Sequence, residues 1–178
     1  MSKHVLILSG SPRKGGNSDL LCDEFLRGAA DAGHTAEKVF IRDQHIGYCN
    51  ACYACKSSGV CVLKDGMADV LDRMRWADVI VMASPVYFYA IDAQMKAVID
   101  RSLPQWENLP NKEFYYIMTA ADEETEAFDT ALACFRSFAV CLNGACEKGV
   151  IRGGGLYEAG AAKGSRFMAE AYQMGLHV

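Results

Sequence analysis

Three short segments carry residue types whose spacing could do chemistry. The first, Ser9-Gly10-Ser11-Pro12-Arg13-Lys14-Gly15-Gly16-Asn17-Ser18, gathers glycines, hydroxyls, an amide and two cations in one stretch. Glycines let backbone N–H groups converge on one point, a helix beginning there adds its positive dipole end, and Arg13 can offset anionic charge. Ser9, Ser11, Asn17 and Ser18 supply short polar side chains, so the stretch reads as an anion cradle. It is a poor ATP or NAD loop. Gly10 and Gly15 have the spacing of a P-loop, but Gly16-Asn17 stands where Lys-Ser/Thr is needed, and Ser11-Pro12 breaks the dinucleotide pattern G-x-G-x-x-G. The phosphate monoester of a mononucleotide fits better. A plain glycine-serine turn with a capping serine is the alternative reading.

The second segment, Cys49 to Cys61, spells C-x2-C-x2-C-x5-C. Three thiolates at every third residue can wrap one compact cluster while a fourth closes it, which is the logic of [4Fe–4S] ligation. Zinc sites favour two C-x2-C knuckles set well apart, and the haem-attaching C-x-x-C-H is absent. Reduced thiols in a partner-facing loop are the other reading. Cys22, Cys134, Cys141 and Cys146 fall on predicted helices or strand edges and are expected to be small buried hydrophobes. The third segment, Ser84-Pro85-Val86-Tyr87-Phe88-Tyr89, offers a stiffened turn and an aromatic wall. Against a flat ring, Pro85, Val86, Tyr87 and Phe88 would supply contact and main-chain N–H groups. Packing under the loop or into a dimer contact is the alternative, preferred for Tyr89 and Trp106. Thr119, Ala120 and Ala121 are placed by position alone to complete such a pocket. No Ser-His-Asp or Cys-His set exists, and His4, His34, His45 and His177 read as surface or terminal residues.

These segments need elements to hold them. Apolar runs at Val5–Leu8, Val39–Ile41, Val79–Ala83, Phe114–Met118 and Gly149–Ile151 predict five strands. Helical periodicity predicts helices over about 18–31, from Asp65, over 91–103, 128–142 and 161–174. Strand–helix alternation repeated in this way means right-handed crossovers, a parallel sheet and helices on both faces. Ligands then sit beyond the carboxyl ends of the strands, in the loops 9–18, 84–91, 119–126 and 153–160. The 178 residues suit one domain, 1–178, interrupted by a cysteine-rich insertion at about 42–64. A formal charge of −4 argues against a nucleic-acid surface. No apolar run approaches the roughly 18 residues of a membrane span, and no signal segment is recognised, so a cytoplasmic protein is expected.

On these residues the chain resembles a known family. Ser9–Ser18 looks like the FMN-phosphate loop of the flavodoxin-like NAD(P)H-dependent FMN reductases. Ser84–Tyr89, with Lys96 and Asp100-Arg101 after it, looks like their isoalloxazine loop and following helix. The resemblance implies a flavodoxin-like three-layer sandwich with five parallel strands in the order 2-1-3-4-5. It implies FMN held by Ser9, Ser11, Pro12, Arg13, Asn17, Ser18, Pro85, Val86, Tyr87, Phe88, Thr119, Ala120 and Ala121. Hydride would pass from NAD(P)H to the flavin with no catalytic side chain, and electrons would leave to a small acceptor or a redox partner.

The cysteine motif resembles the cluster-binding segment of the iron–sulfur flavoproteins, a branch of that family. The match makes Cys49, Cys52, Cys55 and Cys61 ligands of a [4Fe–4S] cluster and ferredoxin an alternative electron donor. Relatives with this spacing are also described as FMN reductases alone, so both readings stay open. A non-enzymatic flavodoxin-like binding module is a third. Asp65-Gly66-Met67 stands where members carry Asp-Asp-Met, and Gly66 reads as a minor change. Asp100 and Arg101 are expected to pair with each other or with the loop, and Lys96 to be structural. Family kinship implies a homodimer or homotetramer, with residues 87–89, Trp106 and the cysteine segment as contacts.

Overall fold

The computed structural model describes residues 1–178. The continuous apolar runs become strands because a sheet covered on both faces buries every side chain. Strands β1 (His4–Ser9), β2 (Thr35–Phe40), β3 (Val79–Tyr87), β5 (Glu113–Thr119) and β6 (Cys146–Gly153) pair in parallel in the order β2-β1-β3-β5-β6. In order of the main strands this is the expected 2-1-3-4-5. A sixth, β4 (Ala90–Ile91), pairs antiparallel with the end of β3 and lies off that path.

Alternation along the strands feeds two cores. Val5, Ile7, Val81, Tyr115 and Ile117 face α1 (Asn17–Asp31) and α6 (Arg166–Leu176). Leu6, Leu8, Ile80, Met82, Phe114 and Tyr116 face α3 (Met67–Trp76), α4 (Ala93–Arg101) and α5 (Asp129–Val140). A one-turn helix, α2 (Cys55–Ser58), lies within the cysteine-rich segment. On the first face α1 and α6 meet backbone to backbone. A Cβ on Gly28 would come within 2.1 Å of Tyr172 O, and one on Gly175 within 2.2 Å of Phe25 O.

Several expectations are corrected. The last helix begins at Arg166 because turns around Gly160 and Gly164, both at positive φ, occupy 159–164. Cys22 is fully buried, but Cys134 is only partly so, and Cys141 and Cys146 are exposed. Helical and strand periodicity located these sulfurs on elements without saying which faced solvent. Asp100 and Arg101 do not pair. Asp100 takes Lys96 one turn back at 2.6 Å, while Arg101 points into the fold. Gly66 is more than a minor change, since a Cβ there would lie 2.4 Å from Gln44 O. His34 is partly buried, with Nδ1 accepting from Lys3 N at 3.1 Å.

Candidate functional site

All four loops expected at the ligand edge converge on one cleft of about 400 Å³. Of the residues picked out in the sequence, Ser11, Arg13, Asn17, Ser18, Pro85, Val86, Tyr87, Thr119, Ala120 and Ala121 line it. Ser9, Pro12 and Phe88 do not. Leu156, Tyr157, Glu158 and Ala159 complete the wall, and none of these was picked out. Their only sequence signal is the glycine-rich stretch after the last strand.

The first loop is held by residues with no contact to the cleft. Ser9 is buried and donates to Asp19 Oδ1 at 2.8 Å. Asp19, in the first turn of α1, also accepts from Gly15 N at 2.9 Å and from Lys38 Nζ at 2.9 Å. Burial pushes the Asp19 carboxyl up, but the Lys38 ammonium and the Gly15 and Ser9 donors outweigh it and hold it below the ordinary value. Arg42 binds Pro12 O at 2.8 Å from the turn after β2. Gly10 donates to Ala83 O at 2.8 Å, and a Cβ there would lie 2.4 Å from Asp92 Oδ2, so only glycine permits this approach.

What this scaffold presents is an uncapped helix start. No side chain caps α1, and the buried Ser18 Oγ has no hydrogen-bond partner. Free first-turn N–H groups and an unpartnered hydroxyl together are what a phosphate needs. Asn17 does a different job. Its amide donates to Leu156 O at 3.0 Å and Glu158 O at 2.9 Å and accepts from Ala162 N at 3.0 Å. It thereby ties the far wall of the cleft to the cradle.

The opposite wall is a hairpin. β3 runs on through Pro85 and Val86 to Tyr87 before β4 turns back. Phe88 and Tyr89 form the two-residue turn at φ 48° and 63°, a conformation usually left to Asn-Gly, and both side chains project into solvent. Tyr89 therefore does not pack beneath the loop. Asp92 anchors the hairpin's exit: its N–H donates to Ser84 Oγ at 2.8 Å, and its Oδ1 caps α4 by accepting from Met95 N at 2.9 Å. Its Oδ2 is buried without a partner, and burial pushes the carboxyl up to about 6.

The cysteine segment is pinned at its base by Arg101. This guanidinium is 2% exposed and grips Asp65 with two bonds of 2.8 and 3.0 Å and Gly47 O at 2.8 Å. Burial pushes the Asp65 carboxyl up, but Arg101 and the Gly47 and Met67 N–H groups outweigh it and bring it down to about 2. Asp65 foremost, with the Cys61 sulfur after it, raises the Arg101 pKa, and Arg101 Nε is buried and unpartnered. Cys49, Cys52, Cys55 and Cys61 border one small cavity of about 30 Å³. Ala51 and Tyr53, between the first three, take positive φ of 50° and 57°, which bends the chain back at each step. No set of three or more His, Cys, Asp or Glu side chains stands close enough together to hold a single ion. The cavity they share has room for about a water molecule or two, so the segment as folded leaves no space for a four-iron cluster among its thiols.

A parallel sheet in the order β2-β1-β3-β5-β6, with a glycine-rich loop after β1 and a hairpin after β3 at one edge, defines an α/β protein of the flavodoxin type. Residues 4–133 match the family described as NADPH-dependent FMN reductase, and the chain belongs to that family. It is 40% identical over 100 residues to an iron–sulfur flavoprotein of Methanocaldococcus jannaschii, covering 56% of this chain and 52% of that protein. It is 41% identical over 96 residues to an iron–sulfur flavoprotein of Methanosarcina thermophila, covering 54% and 50%. The chain thus spans about half the length of the curated relatives it matches. Its fold is that of an NAD(P)H:quinone oxidoreductase from Methanothermobacter marburgensis, with a TM-score of 0.75, 18% identity and coverage of 99% and 96%. An FMN-dependent NADH-azoreductase from Bacillus anthracis superposes with a TM-score of 0.71, 12% identity and coverage of 98% and 96%.

Proposed function

We propose that this chain holds FMN in the 400 Å³ cleft and works as an NAD(P)H-dependent oxidoreductase, passing electrons to a small acceptor or a redox partner. The observation that carries this reading is Ser18 Oγ, buried without a partner at the uncapped start of α1. When bound, FMN supplies the hydride-accepting ring. The chain's own residues bind and orient. The α1 N-terminus, Ser11, Ser18 and Arg13 would take the phosphate, while Pro85–Tyr87 and Thr119–Ala121 would face the ring from two strand ends. Asn17 closes the cleft by holding Leu156 and Glu158. No side chain in the cleft is placed to act as nucleophile or general base, and hydride chemistry needs none.

A second reading is favoured by the C-x2-C-x2-C-x5-C spacing of Cys49 to Cys61 and by the relatives named iron–sulfur flavoprotein. In it Cys49, Cys52, Cys55 and Cys61 bind a [4Fe–4S] cluster, and the protein relays electrons from ferredoxin. The exposed Phe88 and Tyr89 support a second copy of the chain as the cover over the flavin side, in a homodimer or homotetramer, whereas Trp106, also exposed, lies in the turn leading into the start of β5, away from the cleft.

Visible spectra of anaerobically purified protein test both readings. Flavin bands with NAD(P)H oxidation support the first, and flavin over a broad absorbance with stoichiometric iron and sulfide supports the second. A protein that takes up no FMN on titration overturns both. Ser18→Ala gives the residue-level check. It loses about tenfold in FMN affinity, the worth of one hydrogen bond to a charged group, while its unfolding midpoint stays put because the hydroxyl bonds nothing in the chain.

A further inference from the structure

Beside the cofactor cleft lies a second one, of about 490 Å³, at the open edge of the sheet along β6. Two arginines and two glutamates converge on it: Arg152 from the end of β6, Arg166 and Glu170 from α6, and Glu123 from the loop after β5. Neither arginine forms an ion pair with either glutamate. The nearby carboxylate of Glu147 is taken by Arg136 at 2.7 Å. Arg152 Nε is buried without a hydrogen-bond partner. Four charged groups facing one space without neutralising one another are arranged for something else. Phe128 and Phe167 border it from beneath, both buried, and the Arg166 guanidinium lies 5.0 Å over the Phe167 ring.

The two clefts are neighbours. Residues 119–121 line the first and Glu123 the second, while Leu156 lines the first and Gly154 the second. Between them Gly155 N donates to Asp122 O at 3.2 Å, so the divide is one pair of backbone strands thick. A molecule reacting over the flavin can extend into the second cleft across that divide. Most of this cleft belongs to β6 and α6, which lie beyond residues 4–133.

We propose that this cleft binds the adenosine end of the nicotinamide donor and selects a 2′-phosphorylated ribose. In dinucleotide sites a carboxylate accepts from ribose hydroxyls and an arginine takes the 2′-phosphate, and this cleft holds both chemistries. Arg152 and Arg166 take the phosphate, and Glu123 or Glu170 the free hydroxyl. The inference rests on the proposed NAD(P)H activity for its biological sense, but its chemistry can be tested apart from that activity.

The test is calorimetric titration of purified protein saturated with FMN, so that the cofactor cradle cannot take the ligand's phosphate. Adenosine 2′,5′-bisphosphate binds at least about tenfold more tightly than 5′-AMP, as one added charge-assisted contact requires, and Arg166→Ala and Arg152→Lys each remove that advantage. Arg166 is exposed, so its variant folds normally, and circular dichroism checks both. Equal affinity for the two nucleotides, or an advantage that survives both substitutions, overturns the assignment. If the bisphosphate binds through these arginines while NADPH is never oxidised, the site stands and the proposed activity falls. If NADPH is oxidised and binding ignores the arginines, the activity stands and the site falls.

Discussion

Replacing Asp92 by Asn should stabilise the protein at neutral pH, and the size of the gain follows from the carboxyl's surroundings. Asp92 is 1% exposed, its Oδ2 has no partner, and that oxygen fills the space a Cβ on Gly10 would take. Burial raises its pKa from 3.8 to about 6. At ~1.36 kcal/mol per unit, holding this group ionised in the fold at pH 7 costs about 3 kcal/mol relative to the unfolded chain. The sign follows from the raised value. The stabilising protonated form is fully present below pH 3.8 and is lost as pH rises through about 6. Asparagine keeps the cap on Met95 N, since its side-chain oxygen accepts equally well, and it places a neutral amide where the carboxylate was. Urea unfolding from pH 4 to pH 8 is the assay. Asp19, Asp65 and Glu113 are all shifted the other way, so the wild-type slope mixes opposing contributions and only the difference between variants isolates Asp92. Asp92→Asn should match the wild type near pH 4 and exceed it by roughly 1–3 kcal/mol at pH 7. Stability curves that stay parallel from pH 4 to pH 8 would refute the argument.

Three further substitutions probe the rest of the scaffold. Asp65→Asn leaves the buried Arg101 without its counter-charge and should lose roughly 3 kcal/mol at pH 7. Because Asp65 is lowered to about 2, the wild-type advantage is present above pH 3.8 and fades as pH falls toward 2, and limited proteolysis should show residues 48–64 released in the variant. Gly66→Ala forces a methyl to within 2.4 Å of Gln44 O and should cost roughly 1–3 kcal/mol by thermal unfolding. Asn17→Ala cuts three hydrogen bonds to the 156–162 turn, and fluorescence titration should show FMN affinity at least about tenfold weaker.

Whereas the sheet order came only with the family resemblance, the five main strands and the two loops that wall the cleft were legible because they rest on local signals: apolar runs for the strands, and glycine and proline punctuation for the loops. Ser11, Ser18, Pro85 and Val86 were found that way. The supports were not legible, since they join residues far apart in the chain. Nothing near Asp19 announces Lys38, and nothing near Arg101 announces Asp65 and Gly47. Asn17 looked like a ligand group because its type and position suit one, yet its partners lie 139 and 141 residues away. The hairpin at 87–90 was missed as a strand because Phe-Tyr is an unusual pair for a turn with both φ positive. Leu156 to Ala159 carry no motif, so only the loop that holds them, 153–160 beyond the end of β6, was legible at the ligand edge and not the individual residues.

The glycine crossing of α1 and α6 bears on how this architecture can change. With Gly28 and Gly175 seated against the opposing main chains, neither helix can slide or roll without a steric collision. The cradle at one end of α1 and the 156–162 turn leading into α6 are therefore locked into a single rigid block. Variation in the shape of the cleft is left to the hairpin and the segment after β5, which can be remodelled while the block of α1 and α6 stays in register.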